Sequence, residues 1–383
     1  MKSSWQFLKI EGWFFILLLC GMFIDWNVYG YFIFYVPFIY MLFKYGFSKY
    51  LDGNFWMLVA FGLSYSVIDV LNGSSINYTI SIQPIINFPV LYLMGKSISE
   101  RNSVDTSILI LLIFSISCAL LTSLSIYVSV IQEGFSSVTR DVHLIGYVGD
   151  ETIASATTLY SKILPLSLFI SFALLKCNTT YKTLVLLLAS LSVYCCLRLQ
   201  SRSSIYIIAI ALMVALFLNE KGKISSKLFW SLIIAAVVYA ILHFFGDELV
   251  ILDRFQDNGV FDNQNSESRS DLAKVIINDL PSHPLGGQRS ERYAHNLWLD
   301  VSRVSGWMPL LFLLLITKRW MSTIVSLYQN KNIEEYARVF LLVVSMCLFV
   351  YFNTEPIIEG APMLFSFFCV YLGIITETKN KMQ

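Results

Sequence analysis

The chain has 383 residues, of which 56% are apolar or aromatic and 14% are charged, with a formal net charge of +1. Globular domains carry roughly 25% charged residues, so the composition argues against one or two soluble domains. The near-zero net charge argues against bulk attraction to nucleic acid. With 29 Phe and 21 Tyr suited to lipid-facing surfaces and membrane–water interfaces, the chain reads as an all-α, polytopic membrane protein. Residues 1–383 form a single integral membrane domain on this reading.

A spanning helix needs about 20 mostly apolar residues. Twelve runs meet that requirement, near 11–26, 28–45, 54–72, 78–95, 106–131, 157–176, 183–199, 203–219, 228–246, 296–317, 337–354 and 358–376. Lys2 and Lys9 ahead of the first run imitate a signal peptide. No small-x-small cleavage site follows, and another apolar run comes at once, so the first run is expected to be retained.

Lys and Arg in short loops set the orientation. With the N-terminus in the cytoplasm, seventeen of the 27 basic residues fall inside, and both termini end there. Nine fall outside: Arg140, Arg198, Arg202, Arg254, Arg269, Lys274, Arg289, Arg292 and Arg303. The last, Lys162, lies within a run and either snorkels or faces a cavity. The inside set is fourteen Lys and three Arg, whereas the outside set is eight Arg and one Lys. Arg offers a planar, permanently charged fork that grips phosphate oxygens two at a time. An Arg-rich outer face therefore suits a phosphorylated group; ordinary ion pairing with the outer acidic residues is the alternative.

Two connections are long, 132–156 and 247–295, and both fall outside. The larger contains an amphipathic stretch in which Leu272, Val275, Ile276 and Leu280 follow helical spacing. Ser268 is expected to cap this helix, Arg269 to sit in its first turn and Pro281 to end it. Pro284-Leu285-Gly286-Gly287 then marks a tight turn. His295 opens the next helix, with Asn296, Asp300 and Arg303 on one face. Asp300 and Arg303 either pair with each other or face a cavity. His295 either packs or, as an imidazole, takes a proton near neutral pH. Tyr293 and Trp298 either stack on sugars or anchor at the interface. No cysteine lies in an outer loop, and no CxxC, HExxH or glycine-rich phosphate loop is present, so neither disulfide, metal nor nucleotide use is expected.

The segments SRSS at 201–204, DRF at 253–255, ESRSDLAKVIINDLPSHPLGG at 267–287 and AHNLWLD at 294–300, followed by a run containing Gly306, resemble the O-antigen polymerase and O-antigen ligase superfamily. The resemblance covers about residues 195–320; the spacing of the 286–287 glycines departs from the pattern, and the first half matches only in hydropathy. It implies a membrane glycosyltransferase of the GT-C-like class, with a partly helical periplasmic loop. The donor would be an undecaprenyl-pyrophosphate-linked oligosaccharide. By resemblance, Arg202 and Arg269 hold the donor pyrophosphate and His295 activates the acceptor hydroxyl. Arg140, Arg198, Arg254, Asp300 and Arg303 are candidates for further donor or glycan contacts. No cofactor or metal is implied, and a chain-length regulator protein is the partner added. The location implied is the bacterial inner membrane, with chemistry at the periplasmic face. The leading function is polymerisation of lipid-linked repeats; the ligase, transferring glycan to lipid A core, is the near alternative. A twelve-helix transporter is the alternative from another class.

Overall fold

The structure is a computed structural model that describes residues 50–73, 83–135, 142–145, 153–154, 156–175, 179–199, 202–218, 232, 263–287 and 293–382. The described residues are mostly helical. In chain order they form α1 (Gly53–Leu71), α2 (Gln83–Arg101), α3 (Val104–Glu133), β1 (Val142–His143), β2 (Ile153–Ala154), α4 (Ala156–Leu175), α5 (Thr179–Arg198) and α6 (Arg202–Leu218). Then follow α7 (Asn263–Asp279), α8 (Leu297–Ser305), α9 (Trp307–Gln329), α10 (Glu335–Phe352), α11 (Ile357–Gly360) and α12 (Pro362–Asn380).

Among the described residues, five helices are long and apolar enough to cross a membrane: α1, α3, α4 from Thr158, α9 and α10. The runs expected at 11–26 and 28–45, and all but one residue of 228–246, lie outside the described residues. The first long loop carries a two-residue antiparallel strand pair, Val142 opposite Ala154 and His143 opposite Ile153, and the rest of the regular structure among the described residues is helical. One expectation changes. The run at 296–317 is two helices, α8 and α9, divided at Gly306.

The chain divides into two compact units, each drawn from separated segments: Met1–Ser117, Arg269–Asn330 and Phe352–Gln383 in the first, Cys118–Ser268 and Lys331–Tyr351 in the second. In the first unit, α2 packs along α12, α1 against α2, and α9 against α1 and α12. The α2–α12 crossing is close because it is built on glycine. A Cβ at Gly95 would lie 2.1 Å from the Val370 carbonyl oxygen, and one at Gly373 2.1 Å from that of Tyr92. Aromatic rings fill the space between the helices, with Phe88 4.6 Å from Phe365 and Trp320 4.8 Å from Phe368 between centroids.

One end of this unit is tied by charge. Asp52 caps α1 by accepting from the Asn54 and Phe55 amides, and also accepts from the Tyr92 hydroxyl and from Lys96 Nζ at 2.8 Å. Glu377 of α12 lies 3.5 Å from the same ammonium. Burial pushes the Asp52 carboxyl up, but Lys96, the capping amide of Phe55 and Tyr92 together outweigh it and hold the group below its usual value. The opposite end of α1 meets the glycine turn. Asn72 Nδ2 donates to the Leu285 carbonyl at 2.8 Å and the Val304 carbonyl at 3.1 Å.

In the second unit, α4 packs on α5 and α6, and Phe169 and Phe172 of α4 meet Phe340 of α10. Serine hydroxyls inside the helices bond to backbone carbonyls, as Ser192 does to Ile163 at 2.8 Å, so few polar atoms need water.

Gly306 has φ 71 and ψ −154, a region open essentially to glycine alone. A Cβ there would lie 2.0 Å from the Pro284 carbonyl oxygen. Gly73 also has positive φ, but open space surrounds it. Gly73→Ala is expected to cost about 1–2 kcal/mol, and Gly306→Ala markedly more. Thermal unfolding in detergent, followed by size-exclusion, checks this; equal midpoints for the two variants would show that the close approach at Gly306 is absent.

Candidate functional site

The first unit carries a polar corner at its glycine-turn end. Its foundation is backbone. The Gly286 amide donates to the His283 carbonyl at 2.9 Å, the Gly287 amide to Val304 at 3.1 Å, and the Trp307 amide to Pro284 at 3.0 Å. The turn at 283–287 is thereby fastened to the α8–α9 break, as two adjacent glycines at positive φ permit.

Upon this base α8 begins at Leu297, capped by Asn296, whose Oδ1 accepts from the Trp298 and Leu299 amides. His295 therefore precedes the helix instead of opening it. Its φ is 53, the one non-glycine residue with positive φ among the described residues. Such backbone costs about 1–3 kcal/mol and persists only where its surroundings enforce it. Asp300 does so: its Oδ1 accepts from the Ala294 amide at 2.8 Å and its Oδ2 from the Asn296 amide at 3.1 Å. One buried carboxylate thus grips the peptide on both sides of His295.

The α10–α12 connection completes the corner. Glu355 Oε2 lies 3.7 Å from His295 Nδ1, a buried nitrogen with no hydrogen-bond partner among the described residues. Arg303 Nη2 donates to Glu359 Oε2 at 2.6 Å, its Nε lies 3.7 Å from Asp300, and the Tyr293 ring covers the guanidinium at 5.2 Å. Asn296 Nδ2 donates to Asn353 Oδ1 at 3.0 Å. The His295 side chain is 29% exposed, whereas that of Arg303 is 2% exposed. The imidazole is accessible; the guanidinium is not.

Asp300 and Arg303 were expected to pair directly or to face a cavity. They do pair, at 3.7 Å; Arg303 also makes a shorter contact with Glu359, and Asp300 also serves the backbone. Glu355 and Glu359 are absent from the sequence reading. Their signal was available, since the topology assigned to the chain places residues 355–357 on the same face as His295. Trp298 donates its indole N–H to Thr317 Oγ1 at 3.1 Å, fixing α8 on α9.

The remaining candidates separate. Arg198, at the end of α5 in the second unit, is fully buried and reaches Glu133 Oε2 at 3.3 Å and Ser129 Oγ at 3.2 Å. Arg202 opens α6, and Arg269 lies within α7, but the side chains of both fall outside the described residues, as do Arg140 and Arg254 entirely. The α7 helix starts at Asn263, so Ser268 is inside it and Arg269 is in its second turn. Ile276 and Leu280 form its buried face, while Val275 is exposed. Lys162 is buried within α4. No protein-family model matches the chain, and no curated protein is significantly similar to it.

Among the described residues, three carboxylates, Asp300, Glu355 and Glu359, stand around one guanidinium and one imidazole. This balance suits a group that receives a proton and does not suit an incoming polyanion. No three His, Cys, Asp or Glu side chains among the described residues could hold a metal ion.

At nine residues, α8 is about 14 Å long and lies outside the five membrane-crossing helices. Burial raises the Asp300 carboxyl above its usual value, and the Ala294 and Asn296 amides, with Arg303, only partly oppose this. A carboxyl with a raised folded value contributes stability below its unfolded value, and that contribution is lost as pH rises through the folded value. Lowering the pH from neutral toward about 4 should therefore stabilise the native chain relative to Asp300→Asn. Paired thermal melts across that range test the sign; a native chain that loses ground on acidification contradicts it.

Proposed function

We propose that this membrane protein is a glycosyltransferase that joins undecaprenyl-pyrophosphate-linked oligosaccharide repeats at the periplasmic face of the bacterial inner membrane, an O-antigen-type polymerase. The observation carrying this reading is the accessible His295, held at strained backbone with Glu355 beside its Nδ1. A sugar hydroxyl is a poor nucleophile until a positioned base begins to take its proton, an effect worth about 10²–10⁴-fold. His295 is that base. The acceptor oxygen attacks the anomeric carbon of the donor, the hydroxyl proton passes to the imidazole, and the bond to the lipid pyrophosphate breaks. The imidazolium so formed faces the Glu355 carboxylate.

The leaving pyrophosphate gathers negative charge, which guanidinium groups stabilise where water is scarce. Arg303 is already held by Glu359, so this role falls to Arg202 and Arg269, as the resemblance implies. Arg140 and Arg254 remain candidates for glycan or phosphate contacts. The reading includes the GT-C-like class, twelve spans, both termini in the cytoplasm and a chain-length regulator as partner.

In a producing strain, His295→Ala is expected to reduce long-chain glycan about 10²–10⁴-fold, and Glu355→Gln roughly tenfold or more, with both proteins still inserted. Long chains at native level in both variants would sink the site. A deletion strain carrying a single repeat on its lipid core indicates a polymerase; free lipid-linked polymer above a bare core indicates the ligase.

Sidedness has its own check. Ser282→Cys, in the exposed turn, and Gln329→Cys, at the far end of α9, should react with a membrane-impermeant thiol reagent from opposite faces, Ser282→Cys from the periplasm. Labelling of Ser282→Cys from the cytoplasm alone rejects the topology.

A further inference from the structure

The end of the first unit remote from His295 holds a cleft of about 300 Å³, entered between the N-terminus of α1, the C-terminal half of α9 and the C-terminus of α12. In its lining Arg319 and Lys379 supply charge, and Asn54, Ser322, Thr323, Thr376 and Asn380 supply hydrogen-bonding groups. Nothing in the reading of His295 uses these residues, and no step of glycosyl transfer reaches them.

The charge balance of the cleft decides what it suits. Asp52 also lines it, but its carboxylate is engaged by Lys96, Tyr92 and the two capping amides of α1. Glu377, one turn below on α12, lies against Lys96 and accepts from Asn380 Nδ2 at 3.2 Å. Lys96 meets both carboxylates from the buried side, one positive charge against two negative ones. Among the described residues, Arg319 has no carboxylate partner; its polar contact is Asn54 Oδ1 at 3.5 Å, at the limit of a hydrogen bond. Lys379 has no ion-pair partner among them either.

Arg319 and Lys379 thus face one cleft from two different helices, with hydroxyl and amide groups between them, and together with Lys96 they outnumber Asp52 and Glu377 by one charge. A fork and a point charge so placed match the tetrahedral oxygens of a phosphate group. The α1 N-terminus adds its amides and the positive end of its dipole, though Asp52 already occupies part of that role.

We propose that this cleft is a phosphate-binding site, separate from the His295 corner, that takes a phosphate group at the end of the helices where Arg319 and Lys379 converge. The phosphate has two sources with the same chemistry, the headgroup of an anionic lipid and a soluble phosphate. A basic pocket between helix ends at a membrane surface meets headgroups as a matter of position.

The test uses the full chain. Protein in detergent is titrated with inorganic phosphate, and protein in nanodiscs is compared in phosphatidylglycerol and in phosphatidylcholine, with thermal midpoint and native mass spectrometry as readouts. Saturable stabilisation by inorganic phosphate identifies a soluble source. Retained phosphatidylglycerol, with stabilisation specific to it, identifies a headgroup. In either case Arg319→Gln with Lys379→Gln should weaken binding roughly tenfold or more. Ser322→Glu, an exposed position that keeps both cations in place, should weaken it as well. Because Arg319→Gln removes a contact with α1, the Ser322→Glu protein keeps the test decisive if the double variant does not fold. His295→Ala should bind phosphate as the native chain does, so loss of the glycosyltransferase reading leaves this one standing. No saturable binding of either probe, or binding unchanged in Ser322→Glu, overturns the site.

Discussion

The polar corner depends on one backbone contact, the Trp307 amide bonded to the Pro284 carbonyl at 3.0 Å. That contact exists only because residue 306 has no Cβ and occupies a region of backbone space that other residues avoid. Without the break, residues 296–317 would run as one helix about 33 Å long. Asp300 and Arg303 would then lie one and two turns inside an apolar layer, where a charge is costly. Breaking the helix at Gly306 lets its first nine residues leave that direction and carry both charges into a folded corner. The glycine turn is equally necessary, because the carbonyl that receives the amide belongs to it.

Once the corner exists, its three carboxylates divide the work. Asp300 holds backbone, accepting the amides before and after His295. Glu359 neutralises the buried guanidinium of Arg303. Glu355 stands against the imidazole, 3.7 Å from its Nδ1. A buried charge without a partner is strongly destabilising, so Arg303 and Glu359 are best understood as a unit that fixes α11 against α8. The strain at His295 has the same logic. A helix could have begun one residue earlier with less cost; the Asp300 grip instead displaces the imidazole from the helix and toward the α10–α12 connection.

Much of this was legible in residue order, and the failures have physical causes. Long apolar runs announce helices well, and α1, α3, α4 and α10 fall within a few residues of the stretches read from hydropathy; α9 does not, because it starts at Trp307 and continues to Gln329, past the run expected at 296–317. Hydropathy cannot report the break at Gly306, because a glycine inside an apolar run looks like any other small residue. The turn was readable from Pro284, Gly286 and Gly287, yet what it docks against was not. His295, Asp300 and Arg303 were singled out from spacing, and they do come together. Their partners were missed because helical spacing links neighbours in sequence, while Glu355 and Glu359 arrive from more than fifty residues away. The start of α7 was misjudged for a simpler reason. Ser268 is a good cap, but five polar residues ahead of it also continue a helix when nothing stops them.

The segregation of Lys and Arg counts residues, whereas chemistry depends on which cations remain uncompensated. Arg198 and Arg303, grouped with the other outer arginines by sequence, each have a carboxylate partner, Glu133 and Glu359. Either would have to give up that pair before gripping a phosphate, and for Arg303 this would leave the buried Glu359 unpaired. The outer arginines are therefore not equal as phosphate ligands. The same reasoning reverses the expectation for the Lys-rich end. There Lys96 meets Asp52 and Glu377 from within, so that Arg319 and Lys379 face the cleft with one positive charge in surplus. A residue that reads as a topology signal becomes a ligand-binding group when its neighbours are already satisfied.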